Sequence, residues 1–162
     1  MADSSFDVVS DFDQQELVNA LDQVRREVAT RYDFKNAKVS LELAKDEITL
    51  HADDEFRAGS VKDLIETKAV RRGLSLKVFD WGKLEPAAGG TVRQRIGLHR
   101  GLTSEQAKEI AKIVREHFPK VKPAIQGDAV RVAGKSKDEL QGVINHLRGL
   151  DYPVALQFIN YR

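Results

Sequence analysis

The sequence contains two similar alternating segments, DEITLHA at residues 46–52 and DAVRVAG at residues 128–134, which lie 82 positions apart. Apolar and polar residues alternate in both, as they do in a strand with one buried face. A segment with apolar residues at helical spacing follows each of them, and a short alternating segment follows that helix, at residues 76–79 and 155–158. This repeated order predicts one structural unit that occurs twice in the chain.

Each half also begins in the same way. Strand-like alternation runs over residues 6–11 and 92–98, and a capping box follows, at residues 13–16 and 103–106. In the second half the pair Gly127-Asp128 predicts a tight hairpin turn between two strands. Each half therefore reads strand, helix, strand, strand, helix, strand.

That order predicts an α+β fold with two similar ferredoxin-like βαββαβ domains. Each domain should be a four-stranded, mainly antiparallel sheet with both helices on one face. The predicted first domain covers residues 1–84, the linker EPAAGG covers residues 85–90, and the second domain covers residues 91–162. The order of elements also permits the two leading strands to be exchanged between the domains.

The net charge of +1 conceals an uneven distribution along the chain. Residues 1–81 carry 12 basic and 17 acidic residues, whereas residues 82–162 carry 14 basic and 8 acidic residues. We therefore expect an acidic first domain and a basic second domain, and any polyanion should bind the second. Alternatively, the two opposite charges attract each other across a domain interface.

Several classes of protein are excluded or disfavoured. The chain has no cysteine, which excludes disulfides, thiol catalysis and cysteine-ligated metals. No apolar run approaches the roughly 20 residues of a membrane span, and the first residues are acidic rather than signal-like. The four histidines are scattered, and no nucleophile stands beside a base. We expect a cytoplasmic protein that is not an enzyme, with no membrane partner, metal site or cofactor.

FDVVS at residues 6–10 leads to TRYDFK at residues 30–35, and IQGDAVRV at residues 125–132 is followed by GK at residues 134–135, Asp138, LQ at residues 140–141, QF at residues 157–158 and Asn160. These two parts of the chain resemble the YajQ family of small bacterial proteins. The resemblance implies two similar α+β domains and nucleotide binding, with RNA, guanine nucleotides and cyclic di-GMP as ligands linked to the family. Within TRYDFK, we expect Tyr32 and Phe34 to form a buried aromatic pair at a helix end.

The open sheet face of the second half is the predicted binding surface. Arginine offers a planar fork for phosphate and a stacking plane for a base, and open sheets bind RNA in this way in other proteins. Near this face, Lys135 and Ser136 open a helix whose free N–H groups can meet an anion, although Ser136 also fits an ordinary cap. The candidate nucleotide-binding residues are Arg93, Arg95, Lys122, Arg131, Lys135 and Tyr161. We expect Arg131 to be the main phosphate contact.

The sequence thus predicts a two-domain, non-enzymatic nucleotide-binding protein. Its expected ligand is RNA or a guanine nucleotide or cyclic dinucleotide such as cyclic di-GMP. The alternative is a protein–protein interaction module whose oppositely charged domains pair with each other and which binds no nucleotide.

Overall fold

Eight strands and four α-helices make up residues 3–162, which the computed structural model describes. The strands are β1 (Ser4–Val9), β2 (Ser40–Leu43), β3 (Glu47–Ala52), β4 (Phe79–Pro86), β5 (Val92–Leu98), β6 (Lys122–Gln126), β7 (Ala129–Gly134) and β8 (Gln157–Ile159). The helices are α1 (Gln14–Thr30), α2 (Glu55–Arg71), α3 (Ser104–His117) and α4 (Lys137–Gly149). The α+β class and the two four-stranded sheets predicted from the sequence are confirmed.

The first compact unit, here called unit 1, combines residues 3–11 with residues 100–162. Its sheet is antiparallel with strand order β6-β7-β1-β8. Helices α3 and α4 pack on one face of this sheet, and the core between them includes the buried side chains of Phe6, Val8, Val130 and Val132. The opposite face of the sheet carries Asp7 and Arg131.

The second compact unit, unit 2, consists of residues 12–99. Its sheet is antiparallel with order β2-β3-β5-β4, and α1 and α2 pack on it. A separate core includes Leu21, Ile48, Ile65 and Ile96. Each unit therefore has its own sheet, its own pair of helices and its own buried cluster.

The units of the structure have different bounds from the domains expected from composition, because the leading strands pair across the halves. Strand β1 lies between β7 and β8, and β5 lies between β3 and β4. Unit 1 thus has the order strand-helix-strand-strand-helix-strand, with residues 12–99 placed between its first strand and its first helix. Unit 2 has the same order when it is read from β5, so it is a circular permutation of unit 1.

Residues 85–90 do not connect the two units. Strand β4 continues through Pro86, and the next residues turn directly into β5 of the same sheet. Gly89 and Gly90 have φ values of 71° and 77°, a backbone region that glycine adopts without steric cost. A tight turn returns the chain against the strand it has just left, which places β5 in the sheet of unit 2.

The exchange also changes the distribution of charge. Residues 1–11 and 100–162 together hold 11 basic and 10 acidic residues, whereas residues 12–99 hold 15 of each. The bounds of the units therefore give net charges of +1 and zero, because the acidic leading segment belongs with the basic second half. The expectation of an acidic and a basic domain does not hold for the folded units.

Local signals at the helix starts act as the sequence predicts. The Asp13 side chain accepts hydrogen bonds from the backbone N–H groups of Gln15 and Glu16, and Thr103 and Gln106 form a reciprocal capping box. The expected aromatic pair is wrong, since Phe34 is buried whereas Tyr32 is 87% exposed.

None of the helices within residues 3–162 is long and apolar enough to cross a membrane.

Candidate anion-binding site

A cleft of about 540 Å³ lies in unit 1 where α4 begins. Its walls come from the end of β7, the start of β6 and the turn before β6. The residues that line it, here called the basic cleft, are Asp3, Pro119, Lys120, Lys122, Ala133, Gly134, Lys135, Ser136 and Glu139.

Three lysines give the basic cleft its character. Lys122 stands opposite Ala133 in the β6–β7 ladder and shares the sheet face of Arg131, while Lys135 follows β7 and precedes the helix. Lys120, Lys122 and Lys135 are exposed, and within residues 3–162 none of them forms an ion pair. Two carboxylates, of Asp3 and Glu139, also line the cleft, so the cations outnumber the anions.

The start of α4 adds backbone donors to this cleft. The Ser136 hydroxyl accepts a hydrogen bond from the Glu139 backbone N–H at 3.3 Å, so Ser136 is the helix cap. The first N–H groups of a helix have no partner within the helix, and the helix dipole favours negative charge at that end. A cleft that is lined by three lysines and lies at such a helix start is a candidate site for a phosphate-sized anion.

Arg131 is held by a carboxylate of its own sheet. Its Nε donates to Asp7 Oδ1 at 2.9 Å, and Asn160 Nδ2 donates to the other carboxylate oxygen of Asp7 at 2.8 Å. Asp7 is only 7% exposed. The hydrogen bond from Arg131 is the main cause that lowers the pKa of Asp7 below its ordinary value. The positive charge of Arg131 is therefore already balanced by Asp7.

Arg93 and Arg95 lie in β5 and so belong to the sheet of unit 2. Arg93 Nη2 donates to Glu85 Oε2 at 2.8 Å, and this bond lowers the pKa of Glu85. Arg95 is exposed and stands opposite Thr49 of β3. The expectation that Arg93 and Arg95 share one sheet face with Arg131 is wrong, because the leading strands are exchanged.

Of the six candidates, the structure brings Lys122 and Lys135 into one cleft, with Arg131 two residues before Ala133 on the same face of β7. Tyr161 lies beside α4 but lines a different cavity. Lys120 was missed by the sequence analysis because it precedes β6, and strand periodicity says nothing about a turn. The sequence could have indicated Lys120 by its position, since it follows Pro119 and stands two residues before Lys122.

The structure is thus that of an α+β protein with two four-stranded antiparallel sheets and a lysine-lined cleft in unit 1. Residues 4–162 match the family described as "Nucleotide-binding protein YajQ-like". A relative from Chloroflexus aggregans named "Nucleotide-binding protein" is 60% identical over 99% of this chain and 98% of its own length. One from Trichodesmium erythraeum with the same name is 54% identical over 98% of each chain. The chain belongs to the YajQ-like family.

Proposed function

We propose that this chain is a cytoplasmic, non-enzymatic protein that binds a nucleotide through the phosphate, and that the phosphate sits in the basic cleft. The observation that carries the proposal is the convergence of Lys120, Lys122 and Lys135, all without an anionic partner among the described residues, on one cleft of about 540 Å³. That volume falls in the ordinary range of ligand sites. The names of the relatives support the same class of ligand.

The charge of the molecule favours a small nucleotide over RNA. Proteins that bind nucleic acid along its backbone carry a broad basic surface, usually with a pI above about 9. This chain has a pI near 8.0 and a net charge of +1, and three of its lysines line one cleft. A guanine nucleotide or a cyclic dinucleotide such as cyclic di-GMP, which carries few phosphates, matches that distribution. RNA is the competing outcome of the test below.

The charges of the folded units do not support the alternative of a protein interaction module with charge-paired domains. It rested on opposite net charges, whereas residues 1–11 with 100–162 carry +1 and residues 12–99 carry zero. No attraction between net charges follows from these values.

The test is a binding titration of GTP, cyclic di-GMP and a short single-stranded RNA against the purified chain. A matched pair of double variants locates the site. Lys122→Ala with Lys135→Ala removes two cations from the basic cleft, and Lys45→Ala with Lys108→Ala removes two exposed cations elsewhere. Loss of a charge-assisted hydrogen bond should weaken binding by about tenfold or more in the first pair only.

Three results decide between the possibilities. Equal binding by the two double variants would show that the basic cleft is not the site. Binding of RNA with a steep salt dependence, and no binding of the small nucleotides, would replace the small ligand with a polynucleotide. If no probe binds and none raises the midpoint of thermal unfolding, the nucleotide proposal fails.

A further inference from the structure

A second cavity of unit 1, of about 330 Å³, lies on the other flank of the start of α4. The residues that line it, here called the aromatic cavity, are Ser4, Ser5, Phe6, Lys137, Leu140, Gln141, Ile144, Tyr161 and Arg162. Its walls differ from those of the basic cleft, because two aromatic and two aliphatic side chains contribute to it.

Neighbouring residues in the first turn of α4 line the two cavities. Ser136 lines the basic cleft, and the next residue, Lys137, lines the aromatic cavity. At the start of β1, Asp3 likewise lines the basic cleft and Ser4 lines the aromatic cavity. Ser4 stands opposite Gly134 in the β1–β7 ladder, so this strand pair connects the two cavities. A ligand at the start of α4 would therefore lie beside residues that line each of the two cavities.

Tyr161 is an exposed aromatic ring on a fixed stretch of backbone. Its side chain is 62% exposed, although a tyrosine ring is mostly apolar. The next residue, Arg162, exchanges two backbone hydrogen bonds with Ser5, of 3.2 and 2.9 Å. The preceding residue, Asn160, donates from its side chain to Asp7. Both neighbours hold Tyr161 in place, with its ring centroid 6.2 Å from that of Phe6.

The remaining walls suit a planar heterocycle. Leu140 and Ile144 are buried residues of the core and provide an apolar floor. Gln141 Nε2 donates to Asn145 Oδ1 at 3.1 Å, which leaves the Gln141 amide oxygen to accept from a ligand. Lys137 supplies a donor on the rim. An apolar floor, an exposed ring, an acceptor and a donor match a nucleobase, which combines a flat apolar face with polar edges.

We propose that the aromatic cavity receives the base of the nucleotide, with Tyr161 stacked on that base, while its phosphate occupies the basic cleft. The inference rests on the proposed function, since it assigns the second part of the same ligand. With such a base site the protein would bind a nucleotide more tightly than an inorganic polyphosphate, because only the nucleotide has a base to contact the cavity.

The experiment compares two probes that share a triphosphate, GTP and inorganic tripolyphosphate, by calorimetric titration. The variants are Tyr161→Ala, Tyr161→Phe and the double variant Lys122→Ala with Lys135→Ala. Loss of base stacking on an aromatic ring should weaken GTP binding to Tyr161→Ala by about tenfold. The same variant should bind tripolyphosphate as the parent does, and Tyr161→Phe, which keeps the ring, should bind GTP normally.

The outcomes separate this inference from the proposed function. Unchanged GTP binding by Tyr161→Ala would overturn the base subsite and leave the basic cleft standing, provided that the double lysine variant loses both probes. If the double lysine variant binds both probes like the parent, the basic cleft is wrong. A loss of tripolyphosphate binding in Tyr161→Ala would also contradict the inference, because stacking on a base cannot explain it. The thermal transition of each variant checks that it is folded.

Discussion

The two units have the same fold, but α4 of unit 1 and the equivalent helix α2 of unit 2 start beside different side chains. In unit 1, Lys135 and Lys137 flank the cap of α4, and Lys120 and Lys122 stand nearby. In unit 2 the corresponding helix α2 starts after Asp53, with Asp54 as its cap and Glu55 in its first turn. A helix start favours anions through its dipole in both units. The first turn of α4 also carries Asp138 and Glu139, and that of α2 also carries Arg57, so the difference lies in the lysines that line the cleft beside α4.

In unit 2 the two acidic residues before α2 accept backbone hydrogen bonds. Asp54 accepts a hydrogen bond from the backbone N–H of Arg57, and Asp53 accepts one from that of Lys38. The comparison indicates that the lysines, and not the fold or the net charge of a unit, distinguish the start of α4 from the start of α2. The start of α2 therefore serves as an internal control for the proposed anion site.

The largest expected effect is a difference in folding between two fragments of the chain, only one of which contains all the strands of its sheet. A fragment of residues 12–99 contains all four strands of its sheet and should unfold in one cooperative thermal transition. A fragment of residues 91–162 lacks β1, which lies between β7 and β8. Without that central strand its core loses Phe6 and Val8, both buried, and the fragment should be largely unfolded.

Circular dichroism during heating, with each fragment measured alone, checks this difference. Cooperative unfolding of 91–162 would show that the second half folds as an independent domain. It would also remove the basis for combining residues 1–11 with the basic half. Addition of a peptide of residues 1–11 should restore structure to 91–162 and should not affect 12–99.

The next effect compares the two ion pairs on the open faces of the sheets. Asp7 and Arg131 form the pair in unit 1, where the Asp7 side chain is 10% exposed. Glu85 and Arg93 form the pair in unit 2, where the Glu85 side chain is 45% exposed. Asp7→Asn should lower the free energy of unfolding by about 1–3 kcal/mol, because it weakens the three hydrogen bonds that the buried carboxylate accepts from Arg131 and Asn160.

Glu85→Gln is the matched variant, and it should change stability little, since water screens an exposed pair. Denaturant unfolding of both variants measures the difference. Equal effects would mean that Asp7 is not the more strongly held carboxylate, and that the network with Asn160 adds nothing.

The same carboxylate predicts how stability depends on pH. The pKa of Asp7 is lowered in the folded chain below its ordinary value of 3.8, mainly by the hydrogen bond from Arg131. A lowered folded-state pKa means that the stabilisation is complete above the unfolded value and is lost as the pH falls through the folded one. Below about pH 4 the parent should therefore lose stability faster than Asp7→Asn. Parallel curves for parent and variant from pH 5 to pH 2 would contradict this origin of the acid sensitivity.

The sequence predicted the elements better than it predicted their partners. Alternation in residues 46–52 and 128–134 and the capping residues Asp13 and Thr103 are local signals, so these strands and helix starts were found where the structure has them. The strand expected at residues 76–79 is wrong, because Leu76–Val78 form a 3-10 helix and the strand is Phe79–Pro86. The partner of a strand is not a local property, because β1 and β5 both present an apolar face that either sheet can bury. The order of elements permitted the exchange but contained nothing that selected it.

The residues of the candidate site also divide into those that local sequence signals predicted and those that depend on strand pairing. Lys135 was found because it stands next to a recognisable helix cap, and Lys122 because it alternates with apolar residues in a strand. Arg93 and Arg95 were assigned to the wrong sheet, an error that follows directly from the strand exchange. The neutralisation of Arg131 was also out of reach, since Asp7 is 124 residues away in sequence.

The smallest expected effect returns to Arg131, which the sequence favoured as the main phosphate contact. Its guanidinium is already bonded to Asp7, so a phosphate would have to compete for a balanced charge. Arg131→Ala should therefore weaken GTP binding by at most about fivefold, the range of a partly screened ion pair. Arg93→Ala removes the arginine of the Arg93–Glu85 ion pair in unit 2 and should leave GTP binding unchanged.

Calorimetric titration of both variants beside the double variant Lys122→Ala with Lys135→Ala makes the comparison. A loss in Arg131→Ala as large as in the double lysine variant would move the phosphate from the basic cleft onto the open sheet face. Asp7→Asn then distinguishes the two causes of such a loss. Removal of the carboxylate charge frees Arg131, so tighter GTP binding by Asp7→Asn would identify Arg131 as a direct contact. Weaker binding would show that Asp7 serves to hold Arg131 in position.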